Sequence, residues 1–539
     1  MEMLRRLSAA LFALFLVLAL IQCGRRGTPS GGPKDVTPPV LERADPPNRT
    51  TNFDAERIRL YFDEYIRVVD LDKQLIISPP LKYPPEITPL GNTAKYLQVK
   101  ITDTLLPNTT YTLNFGQSVV DNNEQNPYNL LTYVFSTGDY IDSLSLTGVV
   151  SDAYNLEPDP FISVMLYELD SAYTDSTIYK KPPYYLTNTL DSAVIFRLEN
   201  LKAGRYKLFA IRDEAKNNVF NPNADKIGFV EDTITLPTDS TYVLTLFRET
   251  PAYSARKPTY AADNRILFPY TGGEAPELRL LTPVPDSVRT LLARVPDKDS
   301  LNFWFTPWEP DSMVFTLRHP RLEERIDTFS VKPLDVPRDS LRVSWSGRGQ
   351  LTPLDSVYLE SNLPLVATDT SRLELVDQDT VPVPFSARLD TVYNRLYLAF
   401  EKQREKTYSI RANPGALTDF FGDTNDTLVN RYTMGSPTEF GTLRLQLAGA
   451  TAYPMLVEIT DRSGNVIRSR AVQEAGELSF PWLRPDTYRI RVVFDTNGNG
   501  KWDTGSYLER RQPERVAHYP APVELRANWE KVETFTIRE

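Results

Sequence analysis

The residue types that most often carry catalysis or bind transition metals are scarce in this sequence of 539 residues. It contains two histidines, His319 and His518, and one cysteine, Cys23. A histidine-based zinc site or a Ser-His-Asp triad would have to join distant parts of the chain. Carboxylates are plentiful, but most lie in Asp-Ser, Asp-Thr and Pro-Asp turns, where they cap the backbone. We therefore predict no enzyme, with a glycosidase based on paired carboxylates as the remote alternative.

One loop has the residue types and spacing of a calcium site. It reads Asp-Thr-Asn-Gly-Asn-Gly-Lys-Trp-Asp over residues 495–503, which matches the start of an EF-hand-like loop. The candidate ligands are Asp495, Asn497, Asn499 and Asp503. Ser506 stands where a bidentate carboxylate belongs, so the ligand set falls short of the usual six or more unless Glu509 compensates. We favour a structural turn, in which the Asn-Gly pairs supply positive φ angles. A structural calcium ion is the alternative, and no other cofactor is predicted.

Cys23 follows a segment that is typical of exported proteins. Two arginines precede an apolar stretch over residues 7–21, which suits a secretory signal better than a membrane span of about 20 residues. The sequence Leu-Ile-Gln-Cys that ends at Cys23 resembles a bacterial lipobox, in which the thiol is acylated. We predict a signal peptide over 1–22, followed by a lipidated Cys23 and a flexible tether over 23–38. The alternative is a plain signal peptide that ends near a cysteine.

Composition indicates several globular β domains. The length suggests about four or five domains, and an apolar content of 41% with 11% aromatic residues is enough to build packed cores. A formal net charge of −10 without a basic stripe argues against nucleic acid as a partner. A single cysteine excludes any disulfide bond within the chain.

Residues 39–138, called segment A, contain strand patterns and a set of specific motifs. Ile58, Leu60 and Phe62 alternate with polar residues, which predicts a strand with one buried face. Four motifs follow one another: Phe-Asp-Glu-x-Ile, Ile-Ser-Pro-Pro, Leu-x-Pro-Asn-Thr-x-Tyr and Phe-Ser-Thr-Gly. Together they resemble the SbsA-type bacterial Ig-like domain. With the Pro-Ser-Gly-Gly-Pro-Lys-Asp run that follows Cys23, the chain resembles a family of Bacteroidota Ig-like-domain lipoproteins.

The next two segments are also predicted to be β-sandwiches. In residues 142–248, segment B, a strand pattern from Phe196 to Ile211 resembles the prealbumin-like sandwich of carboxypeptidase regulatory domains, a family that implies a structural role. Residues 250–336, segment C, show strand spacing of a divergent sandwich. The run Tyr-Lys-Lys-Pro-Pro-Tyr-Tyr at 179–185 predicts an exposed recognition loop.

The remaining chain repeats the first two segments. One constant shift places Leu60 and Phe62 on Val357 and Leu359. A second constant shift places Tyr206 and Asp213 of segment B on Tyr488 and Asp495 near the C-terminus. Several matches in one register indicate an internal repeat. We name residues 337–437 segment A′, a second Ig-like domain, and residues 438–539 segment B′, a second prealbumin-like sandwich. The predicted fold is all-β, with tandem Ig-like and prealbumin-like β-sandwich modules after a lipoprotein signal peptide.

These observations predict an outer-membrane lipoprotein with a structural or protein-interaction role in the cell envelope. Its partners would be the membrane, through the lipid, and other envelope or outer-membrane proteins. A surface adhesin or glycan-binding lipoprotein is the alternative, and the sequence is compatible with either face of the membrane. The scattered tryptophans favour core positions over a sugar-stacking surface.

Overall fold

The structure is a computed structural model that describes residues 34–189, 194–321, 324–347, 349–450 and 452–537. Cys23, the signal peptide and most of the predicted tether lie outside these ranges. Nearly all regular structure in them is strand, apart from helix α1 (Leu71–Gln74) and 3₁₀ turns at Thr177–Tyr179, Thr370–Arg372 and Pro437–Glu439. No helix in the described part of the chain is long and apolar enough to cross a membrane. The prediction of tandem all-β sandwich modules is confirmed.

The chain divides into two compact units. The first runs up to Leu144 and includes Glu199–Lys202, and the second contains Ser145–Leu198 and the chain from Ala203 onward. The five segment boundaries drawn from the sequence stay a prediction, and the segment names are used below for the residue ranges alone.

Segment A forms two sheets around one core. Its strands are β1 (Leu41–Asp45), β2 (Arg57–Val68), β3 (Ile76–Ser78), β4 (Glu86–Thr88), β5 (Ala94–Lys100), β6 (Thr110–Gly116), β7 (Val119–Asp121) and β8 (Leu131–Ser136). One sheet has the order β1-β2-β5-β4, with β7 on the end of β2, and the other has the order β3-β6-β8. The predicted alternation along β2 is confirmed, because Ile58, Leu60 and Phe62 are all buried in the core.

Segment B pairs a small sheet with a larger one. Its strands are β9 (Leu144–Asp152), β10 (Ser163–Glu168), β11 (Tyr185–Asn188), β12 (Ile195–Leu201), β13 (Gly204–Arg212), β14 (Lys226–Phe229), β15 (Ile234–Leu236) and β16 (Thr241–Leu246). The small sheet has the order β12-β9-β16, in which β16 runs parallel to β9. The larger sheet has the order β11-β10-β13-β14, with β15 also on β13.

Segment C contributes two further sheets around its own core. Its strands are β17 (Ser254–Ala255), β18 (Thr259–Ala262), β19 (Arg265–Thr271), β20 (Glu277–Leu280), β21 (Thr290–Arg294), β22 (Ser300–Phe305), β23 (Met313–Arg318) and β24 (Ile326–Val331). The sheet orders are β17-β19-β22-β21, with β18 also on β19, and β20-β23-β24. Phenylalanines from both sheets meet in this core.

Segment A′ follows the pairing scheme of segment A. Its strands are β25 (Val343–Trp345), β26 (Gly349–Leu351), β27 (Val357–Ser361), β28 (Leu365–Thr368), β29 (Leu373–Asp377), β30 (Phe385–Asp390), β31 (Arg395–Phe400), β32 (Thr407–Ala412), β33 (Leu417–Asp419) and β34 (Leu428–Met434). The main sheet orders are β25-β27-β31-β30 and β26-β34-β32-β29. Tyr111 in β6 accepts a hydrogen bond from the backbone N–H of Leu106 (2.8 Å), and Tyr408 in β32 accepts one from Gln403 (2.7 Å). In both copies, therefore, a tyrosine hydroxyl binds the backbone of the residue five positions earlier, just before the strand begins.

Segment B′ has the strand order of segment B. Its strands are β35 (Gly441–Ala448), β36 (Met455–Thr460), β37 (Val466–Val472), β38 (Glu477–Leu483), β39 (Asp486–Val493), β40 (Val516–His518), β41 (Val523–Leu525) and β42 (Glu530–Thr536). The small sheet is β38-β35-β42, with β42 parallel to β35, and the larger sheet is β37-β36-β39-β40, with β41 also on β39. A parallel pair between the first and last strand is thus present in both copies.

Candidate functional site

The four candidate calcium ligands lie together in the connection between β39 and β40. The carboxylate of Asp495, only 2% exposed, accepts the backbone N–H groups of Asn499 (3.0 Å) and Gly500 (2.8 Å) on its two oxygens. The side-chain amides of Asn497 and Asn499 both donate to one oxygen of Asp503, at 2.5 and 2.7 Å. The sequence thus identified side chains that do meet.

The side chains of the loop offer oxygen atoms, which are the ligands that calcium prefers. These oxygens already accept hydrogen bonds from the loop itself. Glu514 accepts the backbone N–H groups of Thr496 (2.7 Å) and Asp503 (3.0 Å), which closes the loop from the other side. Glu509, which could have completed a ligand set, bonds to Arg511 (3.3 Å). No group of three or more histidine, cysteine or acidic side chains suited to a metal occurs in the described ranges. The turn explanation accounts for the residue types, and calcium binding stays a prediction.

The residues directly after this loop attach segment B′ to segment B. Tyr507, only 7% exposed, inserts its ring among aromatic side chains of segment B. Its ring centroid lies 5.1 Å from that of Phe209, 5.4 Å from Phe229 and 6.4 Å from Tyr179. The first two contacts are edge-to-face, a favourable geometry for aromatic rings. Burial is the main cause of the raised pKa of the Tyr507 hydroxyl, so this side chain is uncharged.

Polar contacts hold the backbone at Tyr507 and just before it. The backbone N–H of Tyr507 donates to the buried carboxylate of Glu249, whose pKa is raised mainly by burial. The hydroxyl of Thr504 donates to the carbonyl of Arg248 at 2.6 Å. A Cβ atom on Gly505 would lie 2.6 Å from the ring of Phe247 and from a backbone carbonyl. Position 505 therefore requires glycine, because any side chain would push the two segments apart.

A second tyrosine makes the reciprocal contact. Tyr154 of segment B lies on the larger sheet of segment B′, where the guanidinium of Arg491 is 3.7 Å from its ring centroid. Arg491 forms an ion pair with Glu458 and donates to the Tyr154 hydroxyl at 2.6 Å. The two charged side chains are only 5% and 7% exposed. Such a pair is held by mutual attraction and full hydrogen bonding, since either charge alone would be costly to bury.

A polar cleft of about 180 Å³ lies beside this ion pair. Arg489 on its wall bonds to Glu157 of segment B at 3.0 Å. His518 also lines the cleft, and its pKa is lowered by burial and then by the charge of Arg491. The cleft combines cations, hydroxyls and a neutral imidazole. Arg489 and Arg491 are engaged in holding the two segments together, and the third arginine, Arg462, donates to Thr487 within segment B′ at 3.0 Å.

The other segments of the second unit are joined in a similar way. Trp304 of segment C packs in a small cluster with Leu363 and Phe420 of segment A′, and Arg289 donates to the carbonyl of Phe420 at 2.8 Å. Gly435 of segment A′ lies close to the ring of Phe440 of segment B′. A Cβ atom added to Gly435 would be only 2.4 Å from that ring. The chain from segment C onward therefore returns, through B′, to contact segment B.

Two expectations about aromatic residues need correction. The middle of the 179–185 run, residues 180–182, is exposed as predicted. Its tyrosines do not form an exposed recognition surface, because Tyr185 is buried and Tyr179 packs against Phe220 and Tyr507. The tryptophans are core residues only in part: Trp304 is buried, whereas Trp529 is 50% exposed. Neither Tyr507 nor the Arg491–Glu458 pair was singled out from the sequence. The available signal was a glycine and a tyrosine directly after a polar loop.

Comparison with known proteins bears on segment A most directly. Residues 35–137 match the model of a bacterial Ig-like domain, so the Ig-like resemblance of this segment is confirmed. No curated protein matches the sequence significantly. The match covers this part of the chain and leaves the remaining segments to be described by their strand order.

Solved structures similar to the chain include cell-surface and glycan-binding proteins. The major pilin subunit BcpA of Bacillus cereus is 9% identical, with 73% of this chain and 99% of the pilin covered at a TM-score of 0.15. The surface layer protein SbsC is 11% identical, with coverages of 90% and 67% and a TM-score of 0.14. The SGBP-B protein of a Bacteroides ovatus mixed-linkage glucan utilisation locus is 11% identical, with coverages of 72% and 94% and a TM-score of 0.17. Scores this low carry no argument about arrangement or ligand.

Proposed function

We propose that the protein is an outer-membrane lipoprotein with a structural or protein-interaction role in the cell envelope and no catalysis. The observation that carries this proposal is the joint between segments B and B′. Three buried charged side chains of the second unit, Arg491, Glu458 and Glu249, make contacts that hold segments B and B′ together. Tethering through the lipid on Cys23 would then present jointed modules to a partner.

Partner capture tests the interaction role. The tagged full-length protein, cross-linked in intact cells and purified from membranes, is expected to bring down an envelope or outer-membrane protein in a stoichiometric amount. Recovery of the protein alone would contradict the role. The Tyr507→Ala variant, captured in parallel, shows whether the partner needs the jointed form.

The anchor is tested separately. The Cys23→Ser variant is expected to leave the membrane fraction, whereas the natural protein stays with the outer membrane and yields a lipid-modified N-terminal peptide by mass spectrometry. Equal membrane retention of both would overturn the lipid anchor. Protease treatment of intact cells then distinguishes a cell-surface position, which gives cleavage, from a periplasmic one, which gives protection.

A glycan-binding role is the second candidate, and one observation favours it. Segment A exposes tyrosines on the outer face of a sheet, among them Tyr65 at 55% and Tyr96 at 39%. Exposed aromatic rings provide flat apolar surfaces on which sugar rings can stack. A glycan array with the full-length protein, read for hits that Tyr96→Ala removes, tests this role.

A further inference from the structure

The outer face of the β1-β2-β5-β4 sheet carries a pair of tyrosines, each with its own arginine. Tyr61 on β2 and Tyr96 on β5 stand directly opposite each other, with ring centroids 6.0 Å apart. The guanidinium of Arg43 lies 4.2 Å from the Tyr61 ring, and that of Arg59 lies 5.6 Å from the Tyr96 ring. These distances are within the range in which a cation and an aromatic ring attract.

The same arrangement recurs on the outer face of the corresponding sheet of segment A′. Tyr358 on β27 and Tyr397 on β31 are direct cross-strand partners, with ring centroids 5.2 Å apart. Arg395 lies 4.6 Å from the Tyr358 ring, and Arg388 lies 5.0 Å from the Tyr397 ring. We call these two surfaces the A face and the A′ face.

Sheet stability explains only part of this recurrence. A cross-strand aromatic pair contributes roughly 0.2–1 kcal/mol, and other aromatic or β-branched pairs would serve equally well. It does not require an arginine beside each ring in both copies. Tyrosine and arginine are, in contrast, the residue types that dominate recognition surfaces, because they combine apolar area, hydrogen bonding and little loss of conformational freedom.

The electrostatics of the two faces differ. On the A face, Arg59 donates to the uncharged amide of Gln98 at 2.9 Å. On the A′ face, Arg395 pairs with Glu360 at 3.2 Å, and Arg388 lies 3.8 Å from Asp390. The A′ arginines thus have carboxylate partners within their own sheet, whereas the charge of Arg59 is available to an anionic ligand. A cationic aromatic face is complementary to an acidic partner.

We propose that the A face and the A′ face are each a site for an acidic polysaccharide. Pyranose rings would stack on the tyrosines, and carboxylate groups of the polymer would pair with the arginines, most strongly on the A face. The inference deepens the glycan-binding candidate and is independent of the structural role.

The probe is polygalacturonate, a polymer of carboxylated pyranose units, and amylose is the uncharged control. Affinity electrophoresis or calorimetry on the full chain is expected to show binding to polygalacturonate that weakens as salt rises. The double variant Tyr61→Ala/Tyr96→Ala should bind at least about tenfold more weakly, which corresponds to about 1.4 kcal/mol. The variant Tyr358→Ala/Tyr397→Ala should lose less, and the quadruple variant should not bind.

Two controls separate recognition from stability. Tyr61→Ile keeps a residue that favours strands but removes the ring, so it should fold normally and still bind more weakly. Tyr140→Ala removes a ring that is more exposed, at 54%, but lies off both faces, and it should bind like the natural protein. Arg43→Gln/Arg59→Gln should lower affinity and flatten its salt dependence.

The outcomes decide the proposal. It is overturned if polygalacturonate does not bind, if the tyrosine variants bind it unchanged, or if amylose binds equally well. Loss of a captured envelope protein in the tyrosine variants, without polygalacturonate binding, would mean that the faces dock a protein and would also overturn it. None of these results affects the partner-capture and anchor experiments, so the two proposals fail separately.

Discussion

Segments B and B′ have the same strand order, yet equivalent positions on their larger sheets carry opposite chemistry. In segment B, Phe209 stands between its cross-strand partners Met165 and Phe229. In segment B′, the equivalent strand has Arg491 between Glu458 and His518. One copy thus presents an apolar outer face and the other a charged one.

Each face receives a tyrosine from the other copy. Tyr507 of B′ packs on Phe209, and Tyr154 of B lies over Arg491. The two tyrosines come from different positions of the repeat, Tyr154 directly after β9 and Tyr507 between β39 and β40, and the chemistry of the two receiving faces differs. The shared core keeps the strand order the same in both copies. The residue types on the outer face of a duplicated sheet can change independently, because each face only has to suit the segment that packs on it.

The polar loops of the two copies make the same turn with different residues. In segment B, one oxygen of Asp213 accepts the backbone N–H of Asn218 at 2.6 Å, with Lys216 and Asn217 also donating to this carboxylate, and its other oxygen is buried without a partner. Burial raises the pKa of Asp213. In segment B′, both oxygens of Asp495 accept backbone N–H groups. Equivalent positions have positive φ angles in both loops, and they are Lys216 and Asn218 in segment B but Gly498 and Gly500 in segment B′.

The largest expected effect comes from breaking the charged face. Arg491→Ala leaves Glu458 buried without its partner, which should cost about 3–5 kcal/mol of unfolding free energy. Chemical denaturation followed by intrinsic fluorescence measures the loss. Arg489→Ala, which removes a contact to the exposed Glu157, is the matched control and should cost less than about 1 kcal/mol.

Conversion of one face into the other sharpens the result. Glu458→Met/Arg491→Phe gives B′ the residues that B has at these positions, and it should be far more stable than Arg491→Ala, because no charge is left buried. If the double variant and Arg491→Ala were equally destabilised, shape rather than charge would decide the contact.

Removal of the Tyr507 ring from the apolar face should have the next largest effect on the free energy of unfolding. Tyr507→Ala empties an aromatic socket and should cost about 3 kcal/mol, with the loss appearing as separate unfolding of B and B′ and as faster proteolysis after residue 504. Tyr507→Phe is the control: it removes only the hydroxyl contact to Tyr173, worth about 1 kcal/mol. Unchanged cooperativity in Tyr507→Ala would show that this contact does not couple the copies.

A smaller loss of stability should appear on acidification at the charged face. The lowered pKa of His518 means that the unfolded chain binds a proton more readily than the folded one. This contribution to stability is therefore complete above the unfolded pKa of about 6.5 and falls as the pH drops below it. Titration of the imidazole signal by NMR should give a depressed pKa that moves upward in Arg491→Met. An ordinary pKa in the natural protein would contradict the burial of this face.

The smallest effect is expected at the B′ loop. Because the loop oxygens already accept hydrogen bonds from the loop itself, a chelator should leave the melting temperature unchanged. Asp495→Asn, which weakens those bonds, should lower stability by about 1–2 kcal/mol in buffer with or without chelator. A rise in melting temperature with added calcium, lost in Asp495→Asn, would instead support the structural calcium ion.

The sequence by itself determined the strands, the Ig-like character of segment A and the members of the polar loop. Period-two alternation names the residues that face a strand's own core, as at Ile58 and Leu60, and Asn-Gly pairs name a turn. A repeat in one register also matched core positions of the two Ig-like copies, such as Leu60 and Val357, which are both buried. These signals are local, so the chain alone contains them.

Only the tertiary structure decided what covers the outer faces. Alternation shows that Arg491 and Phe209 point away from their own cores, but it cannot say whether they meet solvent or another part of the chain. That depends on the return of the chain from segment B′ to segment B, which places Tyr507 and Tyr154 far from their contacts in sequence. Tyr179 was therefore predicted to be exposed, and it packs against Tyr507 of segment B′, because contacts across such separations leave no periodic trace in the sequence.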